Sequence, residues 1–507
     1  MTDPPAPALA LQLDMSLPPA EARRSISSSR LGRDGAQKKA KWDRWIKEAS
    51  CHASMVIAGW SDASSGPLIP YIQSYYGISY TVVSMLFVGQ MVGFLTAALA
   101  NSALTSKFGL GKVMTMGAVI QAVAYALLIP AFPFPLFPVC YAISGFGMAL
   151  QDASANVYIA TLPNAEHRFG LLHASYGLGA AICPLAATAF ASSGRQFSHF
   201  WAISVAIACL NVVILIWAFR FNYVVDTSEP IATGETPGLS PTDLVDPPSP
   251  REEIELEEQR AGSKKDEEGL EEEMPSTPRG VETTTFARRR QAKKSGILYQ
   301  TLSSRAVWLC SLFILFYVGS EVSMGGWIVT FLIDNRNGGP SAGYVATGFW
   351  LGITVGRATL NPLNMWIGEK RVIYLYLALA LCMEFAIWFA DSLVGNAVVV
   401  AIVGVVLGPL YPVSAAHPYA GFRAESDVAG HQITMSLCTK ILPRKLHSSG
   451  IAFIAAFGQT GSAIFPFVTG ALAQRFSPAA LQPVMVFLFA VQLVMWWFVP
   501  DVVRKVE

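Results

Sequence analysis

Asp152, Asn156, Asp62 and Glu321 stand inside stretches of the chain that are otherwise apolar. An ionisable group at the centre of a membrane-spanning helix costs roughly 2.5–3.5 kcal/mol on insertion scales, so it usually faces a cavity, a partner or a water-filled path. Asp152 and Asn156 lie one helical turn apart and share a helix face. A carboxyl there can exchange a proton in step with a change in protein shape; the bland alternative is a permanent tie to a neighbouring helix. Asp62 is read equally as a substrate or proton site and as a packing residue, and the prolines that follow it, Pro67 and Pro70, are expected to break or kink its helix. Glu321 precedes Gly325 and Gly326, whose weak helix propensity predicts a bend, and it is read as a gate or substrate contact. Gln90, Gln151, His173 and Gln459 both donate and accept hydrogen bonds, as a hydroxyl-rich solute requires. Trp60, Trp327 and Trp350 offer apolar ring faces on which a pyranose can lie. Taken singly, each is more often a packing residue. Arg357 follows Gly348, Gly352 and Gly356, a stripe that permits close helix approach, and is read as a cytoplasmic-end lock with Glu369. Glu384 is read as serving the same structural purpose.

No enzyme chemistry is legible, because no nucleophile and base stand together and no cofactor motif appears. His173 has no second ligand at metal spacing on its helix, so neither a metal nor a cofactor is expected. Gly109, Gly111 and Lys112 lack the spacing of a nucleotide loop, and Val113 follows the lysine. The seven cysteines lie mostly inside apolar stretches without a close pair and read as packing residues.

The elements that hold these groups are about a dozen apolar stretches of roughly 20 residues, the length needed to cross a bilayer as helix. They fall at about 49–72, 80–104, 112–131, 134–160, 169–193, 198–220, 307–333, 342–366, 371–391, 394–412, 450–473 and 479–500. Hydrophobic residues make up 52% of the 507 and charged residues 14%, which excludes an ordinary soluble domain. The reading is an all-α membrane protein with two six-helix bundles, 49–222 and 301–500. Residues 1–48 read as a disordered cytoplasmic N-terminus, 223–300 as a disordered charged cytoplasmic linker, and 501–507 as a cytoplasmic tail.

Charge placement orients the chain. Nine basic residues from Arg23 to Lys47 precede the first span, and Lys107, Lys112, Arg168, Lys370, Arg371, Arg444 and Lys445 fall in loops on the same side. Opposite loops are nearly free of Lys and Arg, so both termini are expected in the cytoplasm. Residues 1–45 lack the apolar core of a cleavable signal, leaving the first span as its own insertion signal. A net charge of +1 gives no reason to expect a nucleic-acid partner. In the linker, Ser249 and Thr277 each precede proline beside charges, and phosphate there would change how the cluster from Arg288 to Lys294 meets anionic lipid. The bland reading of the linker is a solvated tether.

A repeat links the halves. Leu162-Pro163 precedes Gly179 and Pro184 much as Leu442-Pro443 precedes Gly461 and Pro466, the arrangement expected of two parallel bundles related by an axis along the membrane normal. Gly59-Trp60-Ser61-Asp62 with Gly66-Pro67, Gln151-Asp152 through Asn156, His173 through Gly177, and Tyr317 through Glu321 with Gly325-Gly326-Trp327 then give the chain its resemblance. Over about 49–220 and 300–500 it resembles the major facilitator superfamily, and within it the fucose/glucose/galactose:proton symporter group and its fungal relatives. The resemblance implies alternating access around a midplane site, a functional monomer, and a proton-carrying role for Asp152. Asp62 falls about one turn before the group's other acidic position, where this chain has Gly66. The loop from Thr105 to Lys112 keeps the superfamily's basic and glycine elements without its acid.

Residues 413–432 are polar and irregular, and removing them would join Pro412 to Ile433 as one helix of ordinary length. A retained intron and a genuine cytoplasmic insertion both fit. Three functions stay open from sequence: proton-coupled uptake of a monosaccharide or similar small polar solute, proton-antiport efflux of an amphipathic metabolite or drug, and a non-transporting sensor. Plasma membrane and vacuolar membrane are equally compatible.

Overall fold

The computed structural model describes residues 20–163, 165–220, 299–410 and 446–499, and it is helical. The first half comprises α1 (Ala20–Tyr76), α2 (Tyr80–Val83), α3 (Met85–Phe108), α4 (Leu110–Leu128), α5 (Leu136–Ala160), α6 (Ala165–Ala191) and α7 (Phe200–Phe219). The second comprises α8 (Arg305–Asn335), α9 (Tyr344–Thr359), α10 (Asn361–Ile367), α11 (Glu369–Phe389), α12 (Leu393–Leu407), α13 (His447–Gln459), α14 (Gly461–Arg475) and α15 (Leu481–Trp497). Each expected span falls on one helix or on a pair separated by a short kink. Eight of the described stretches are long and apolar enough to cross a membrane. The spans built from α1, α5, α9 with α10, and α13 with α14 fall short of that length or apolarity. Those four carry Asp62, Asp152, Arg357 and Gln459.

Several elements run on as helix where an end or break was open. Residues 20–48 extend α1 as helix instead of forming a disordered tail. Pro67 and Pro70 lie inside α1, which runs unbroken to Tyr76. Gly325 and Gly326 do not interrupt α8 either; an added Cβ on them would meet the Trp350 ring and the Phe87 ring, so the glycines serve close packing. The linker, residues 413–432, the Leu442-Pro443 half of the repeat and the 501–507 tail lie outside the described residues.

Helix association in lipid gains little from the hydrophobic effect and depends on close packing and polar contacts. Glycine supplies the closeness. A Cβ at Gly179 of α6 would sit on the Val56 carbonyl of α1, and one at Gly461 of α14 would sit on the Leu315 carbonyl of α8. Both α6 and α14 also carry an internal proline, Pro184 and Pro466, so the repeat marks equivalent seams in the two halves. Gly352 and Gly356 of α9 press in the same way on the Ala401 and Val405 carbonyls of α12. Buried polar groups add directional ties: Asn211 of α7 donates to Gln151 of α5 at 2.8 Å, and Gln151 donates to Gln121 of α4 at 2.8 Å.

Gly93 of α3 gives the sharpest test, because a Cβ there would lie 1.8 Å from the Ala142 carbonyl oxygen of α5. Overpacking of this kind costs about 1–3 kcal/mol or more. Gly93→Leu is expected to cut the yield of folded, monodisperse protein several-fold, whereas Gly170→Ala, where a Cβ meets nothing within 4 Å, leaves it unchanged. Size-exclusion profiles of the two variants check this.

Candidate functional site

The two halves meet along α1 with α8, α6 with α9, and α2 and α3 with α14. Between them lies a cavity of about 110 Å³ lined by Asp62, Asp152, His173, Tyr176, Glu321, Trp350, Arg357 and Gln459 with several apolar side chains. A smaller lobe, about 40 Å³, adds Gln90, Phe87 and Ser462 and shares Asp62, Trp350 and Gln459. By the measure that a water needs about 10–15 Å³, the larger lobe has room for several waters.

Asp62 sits on the α1 face that looks into this space and accepts hydrogen bonds on both oxygens. Gln90 of α3 donates through Nε2 to Oδ1, and the Tyr176 hydroxyl of α6 donates to Oδ2 at 2.7 Å. Three helices of the first half are thereby tied at one carboxylate. Asp152 is held more sparsely: Asn156 Nδ2 donates to its Oδ1 and to its backbone carbonyl, each at 3.0 Å. The helical-turn spacing read from the sequence is thus a contact.

Across the cavity, Arg357 of α9 pairs with Glu321 of α8 at 3.4 Å, both side chains less than one-tenth exposed. Arg357 Nε also donates to the Gly408 carbonyl at 3.3 Å. Arg357 therefore stands in the last turn of α9, lines the cavity and pairs there with Glu321. The Glu369 side chain lies outside what the structure describes. Unpartnered buried polar atoms at His173 Nε2, Asn156 Oδ1 and Trp350 Nε1 supply one acceptor oxygen, one indole donor and an imidazole nitrogen.

Two expected substrate residues have other duties. Gln151 is 2% exposed and fully engaged with Gln121, Asn211 and the Gly147 carbonyl, because the α5 face it occupies is turned toward α4 and α7. Trp327 is 1% exposed and donates to the Pro466 carbonyl at 3.0 Å, which binds α8 to α14. Trp60 likewise donates to Ser204 and stacks on Phe200. Glu384 is fully buried, and neither of its carboxylate oxygens has a hydrogen-bond partner among the described residues. Sequence reasoning did not single out Tyr176, although the His173-to-Gly177 segment had drawn notice. Tyr176 is three residues from His173, the spacing that brings both to one helix face.

At one end the halves are closed. The Tyr80 hydroxyl donates to Asp334 Oδ2 at 2.7 Å, and the Tyr80 backbone N–H donates to Gln474 Oε1 at 2.9 Å. Below them, Phe87 packs on Gly326, Ser84 on Gly470, Thr188 on Gly343, and Gly66 on Gly325. At the other end of the first half, Arg168 of α6 pairs with Glu48 of α1, and His52 Nδ1 lies 2.8 Å from the Ser175 hydroxyl.

The sequence matches the family model of the Major Facilitator Superfamily over residues 52–428. It is 24% identical over 483 residues to the Saccharomyces cerevisiae protein called bypass of stop codon protein 6, covering 91% of this chain and 84% of that one. It is 23% identical over 344 residues to a glucose/galactose transporter of Brucella abortus, covering 63% of this chain and 69% of that one. Among solved structures, the Escherichia coli fucose:proton symporter superposes with a TM-score of 0.53 at 16% identity, over 90% of this chain and all of that one. A structure of a major facilitator transporter in its outward conformation gives a TM-score of 0.50 at 15% identity. With most of its length matched by the family model and its two helical halves closing on a charged central cavity, the chain belongs to the major facilitator superfamily and is a multi-pass membrane transporter rather than an enzyme.

Proposed function

We propose that the protein carries a small neutral polar solute of the monosaccharide class together with a proton, by alternating access. The observation that carries this reading is the pairing of two differently held acids in one cavity. Asp62, with two donors fixed on it, is organised as a solute-binding carboxylate whose neighbours Gln90 and Tyr176 are held in place. Asp152, with one amide donor, keeps the freer carboxyl and takes the proton.

Charge balance supports a neutral cargo. Asp62, Asp152 and Glu321 face one guanidinium, Arg357, so an anionic solute would meet net repulsion in a poorly screened space. Gln459, Trp350 and the free Nε2 of His173, all on the cavity wall, offer the donor and acceptor mixture that hydroxyls need. The names of the sugar-transporting relatives agree with this class.

Orientation follows from the Lys and Arg bias. The Arg168 end faces the cytoplasm together with both termini, in the plasma membrane or the vacuolar membrane. The Tyr80 end is then the outer one, and it is the closed end in this conformation. Tyr80→Phe removes one cross-half hydrogen bond worth about 0.5–1.5 kcal/mol, and it is expected to raise the outward-open population about 2- to 10-fold. Reaction of a cysteine introduced at Ser65, on the cavity wall, with an impermeant thiol reagent added outside measures that change.

The test of the function is labelled hexose uptake with simultaneous pH recording in proteoliposomes. Saturable uptake with proton entry supports the proposal. The apolar lining of Phe87, Met91, Phe94, Met148 and Val322 favours the second reading, efflux of an amphipathic compound. Folded protein that moves no hexose but exchanges an apolar cation for protons would replace the first reading by the second.

A further inference from the structure

Outside the central cavity, and among the described residues, three buried carboxylate or amide side chains in the second half have no partner for any side-chain nitrogen or oxygen: Glu384 of α11, Asn396 of α12 and Gln482 of α15. Their exposures are 0%, 1% and 0%. None lines either lobe of the cavity.

The helix registers bring them to one depth. Trp496 Nε1 of α15 donates to the Lys370 carbonyl of α11 at 3.0 Å, which fixes these antiparallel helices against each other. Fourteen residues on from Lys370 stands Glu384, and fourteen back from Trp496 stands Gln482. Each step covers about 21 Å along its helix, so the two side chains are level. Fourteen residues is also just under four turns, so Gln482 shares the face of α15 on which Trp496 reaches α11. Glu384 lies on the buried stripe of α11 formed by Ile373, Tyr376, Leu377, Ala380 and Ile387. Asn396 belongs to the α12 stripe of Val400, Val403 and Leu407. Glu384 stands five residues before the end of α11 and Asn396 three after the start of α12, so they differ in depth by about 3 Å.

We propose that Glu384, Gln482 and Asn396 form a binding site for one alkali cation inside the second bundle, apart from the transport cavity. A buried carboxylate without a counter-charge is too costly to keep, and buried amides must be hydrogen-bonded or engaged by an ion. The donor set is the carboxylate of Glu384 and the amide oxygens of Gln482 and Asn396, all hard oxygen ligands suited to a hard cation. A single carboxylate balances a single positive charge; a divalent ion would leave an excess charge buried. A bound proton would neutralise Glu384 and give one O–H donor, enough for only one of the two amide oxygens, whereas a cation among the three helices engages both.

An entrance is close by. Residues 390–392, which join α11 to α12, are exposed, and Asp391 there pairs with Arg336 at 3.2 Å. Arg336 also donates to the Ile387 and Trp388 carbonyls at 3.3 and 2.8 Å, one helical turn beyond Glu384. The site therefore lies about one turn beneath an exposed connection whose other charged groups already neutralise each other.

The experiment is thermal unfolding of the full-length purified protein with sodium chloride or potassium chloride replacing choline chloride at constant ionic strength. The expected result is a saturable rise in Tm of at least about 2 °C with one alkali ion and none with choline. Glu384→Gln should abolish the rise, and Asn396→Leu should raise the half-saturating concentration about tenfold. Asp152→Asn, in the central cavity, should keep it. If Glu384→Gln does not fold, Gln482→Met and Asn396→Leu carry the test, each expected to weaken the alkali response. No alkali response in the unaltered protein overturns the proposal. So does a response that survives Glu384→Gln, or one lost in Asp152→Asn instead. A protonated-carboxyl infrared band that disappears in Glu384→Gln, with no alkali effect, would likewise reduce the site to a buried acid and overturn it.

Discussion

Asp152→Asn is expected to abolish solute accumulation while leaving solute exchange across the membrane in place. If one proton accompanies each solute, a gradient of one pH unit supports about a tenfold concentration ratio, because one unit is worth about 1.36 kcal/mol. Asparagine has nearly the same shape and can still meet Asn156, but it carries no exchangeable charge, so the ratio falls to about one. Counterflow, in which labelled solute exchanges against unlabelled solute, needs no net proton movement and is expected to persist. The contrast separates a proton carrier from a packing residue, whose loss would depress exchange and accumulation together. Accumulation at full strength in Asp152→Asn would move the proton to Asp62 or remove it from the cycle. Proteoliposomes loaded at two internal pH values give both quantities from one preparation.

The second large effect is expected at the Glu321–Arg357 pair. Both side chains are less than one-tenth exposed, so removing one partner leaves an uncompensated buried charge. Breaking such a pair typically costs about 3–5 kcal/mol, whereas replacing both partners together is often close to neutral. Arg357→Met is therefore expected to lower Tm steeply, and Glu321→Gln with Arg357→Met together to recover most of the loss. A double-mutant cycle read by thermal unfolding gives the coupling. Transport separates from stability here, since the pair also lines the cavity: the double variant is expected to fold and yet bind solute poorly. A double variant as unstable as Arg357→Met alone would show that Arg357 acts mainly through the Gly408 carbonyl and its other contacts.

The fold was legible because membrane helices are specified by length and apolarity, and those quantities are local. The weaker spans were informative too, since α1, α5, α9 and α13 with α14 lose apolarity or continuity where Asp62, Asp152, Arg357 and Gln459 serve the cavity. The candidate site was legible in its residue types and less so in its partners. The Asp152–Asn156 contact follows from a helical turn and could be read directly. The Asp62–Tyr176 and Glu321–Arg357 contacts join residues far apart in sequence, and only packing brings them together. Gln151 and Trp327 were misread for the same reason: a polar atom on an apolar helix signals that it needs a partner, without saying whether the partner is solute or protein. Pro67 and Pro70 do not end their helix because local propensity is outweighed by neighbouring helices. Residues 20–48 misled because a charged composition does not prevent a helix that continues an anchored one.

The glycine contacts also divide the molecule mechanically. Inside each half, α6 on α1 and α14 on α8 press backbone against backbone, at Gly179 with Val56 and at Gly461 with Leu315. Across the halves, the contacts at Gly326, Gly343 and Gly470 set a glycine against a side chain, which can swing away. Gly66 against the Gly325 carbonyl is the exception, a backbone-to-backbone contact between the halves. A joint that stays hard while its neighbours yield is where two rigid bodies turn, so the Gly66–Gly325 contact makes a fulcrum. Its place near the cavity sets the lever arms: a small rotation about it moves Tyr80 and Arg168 much farther than it moves Asp62.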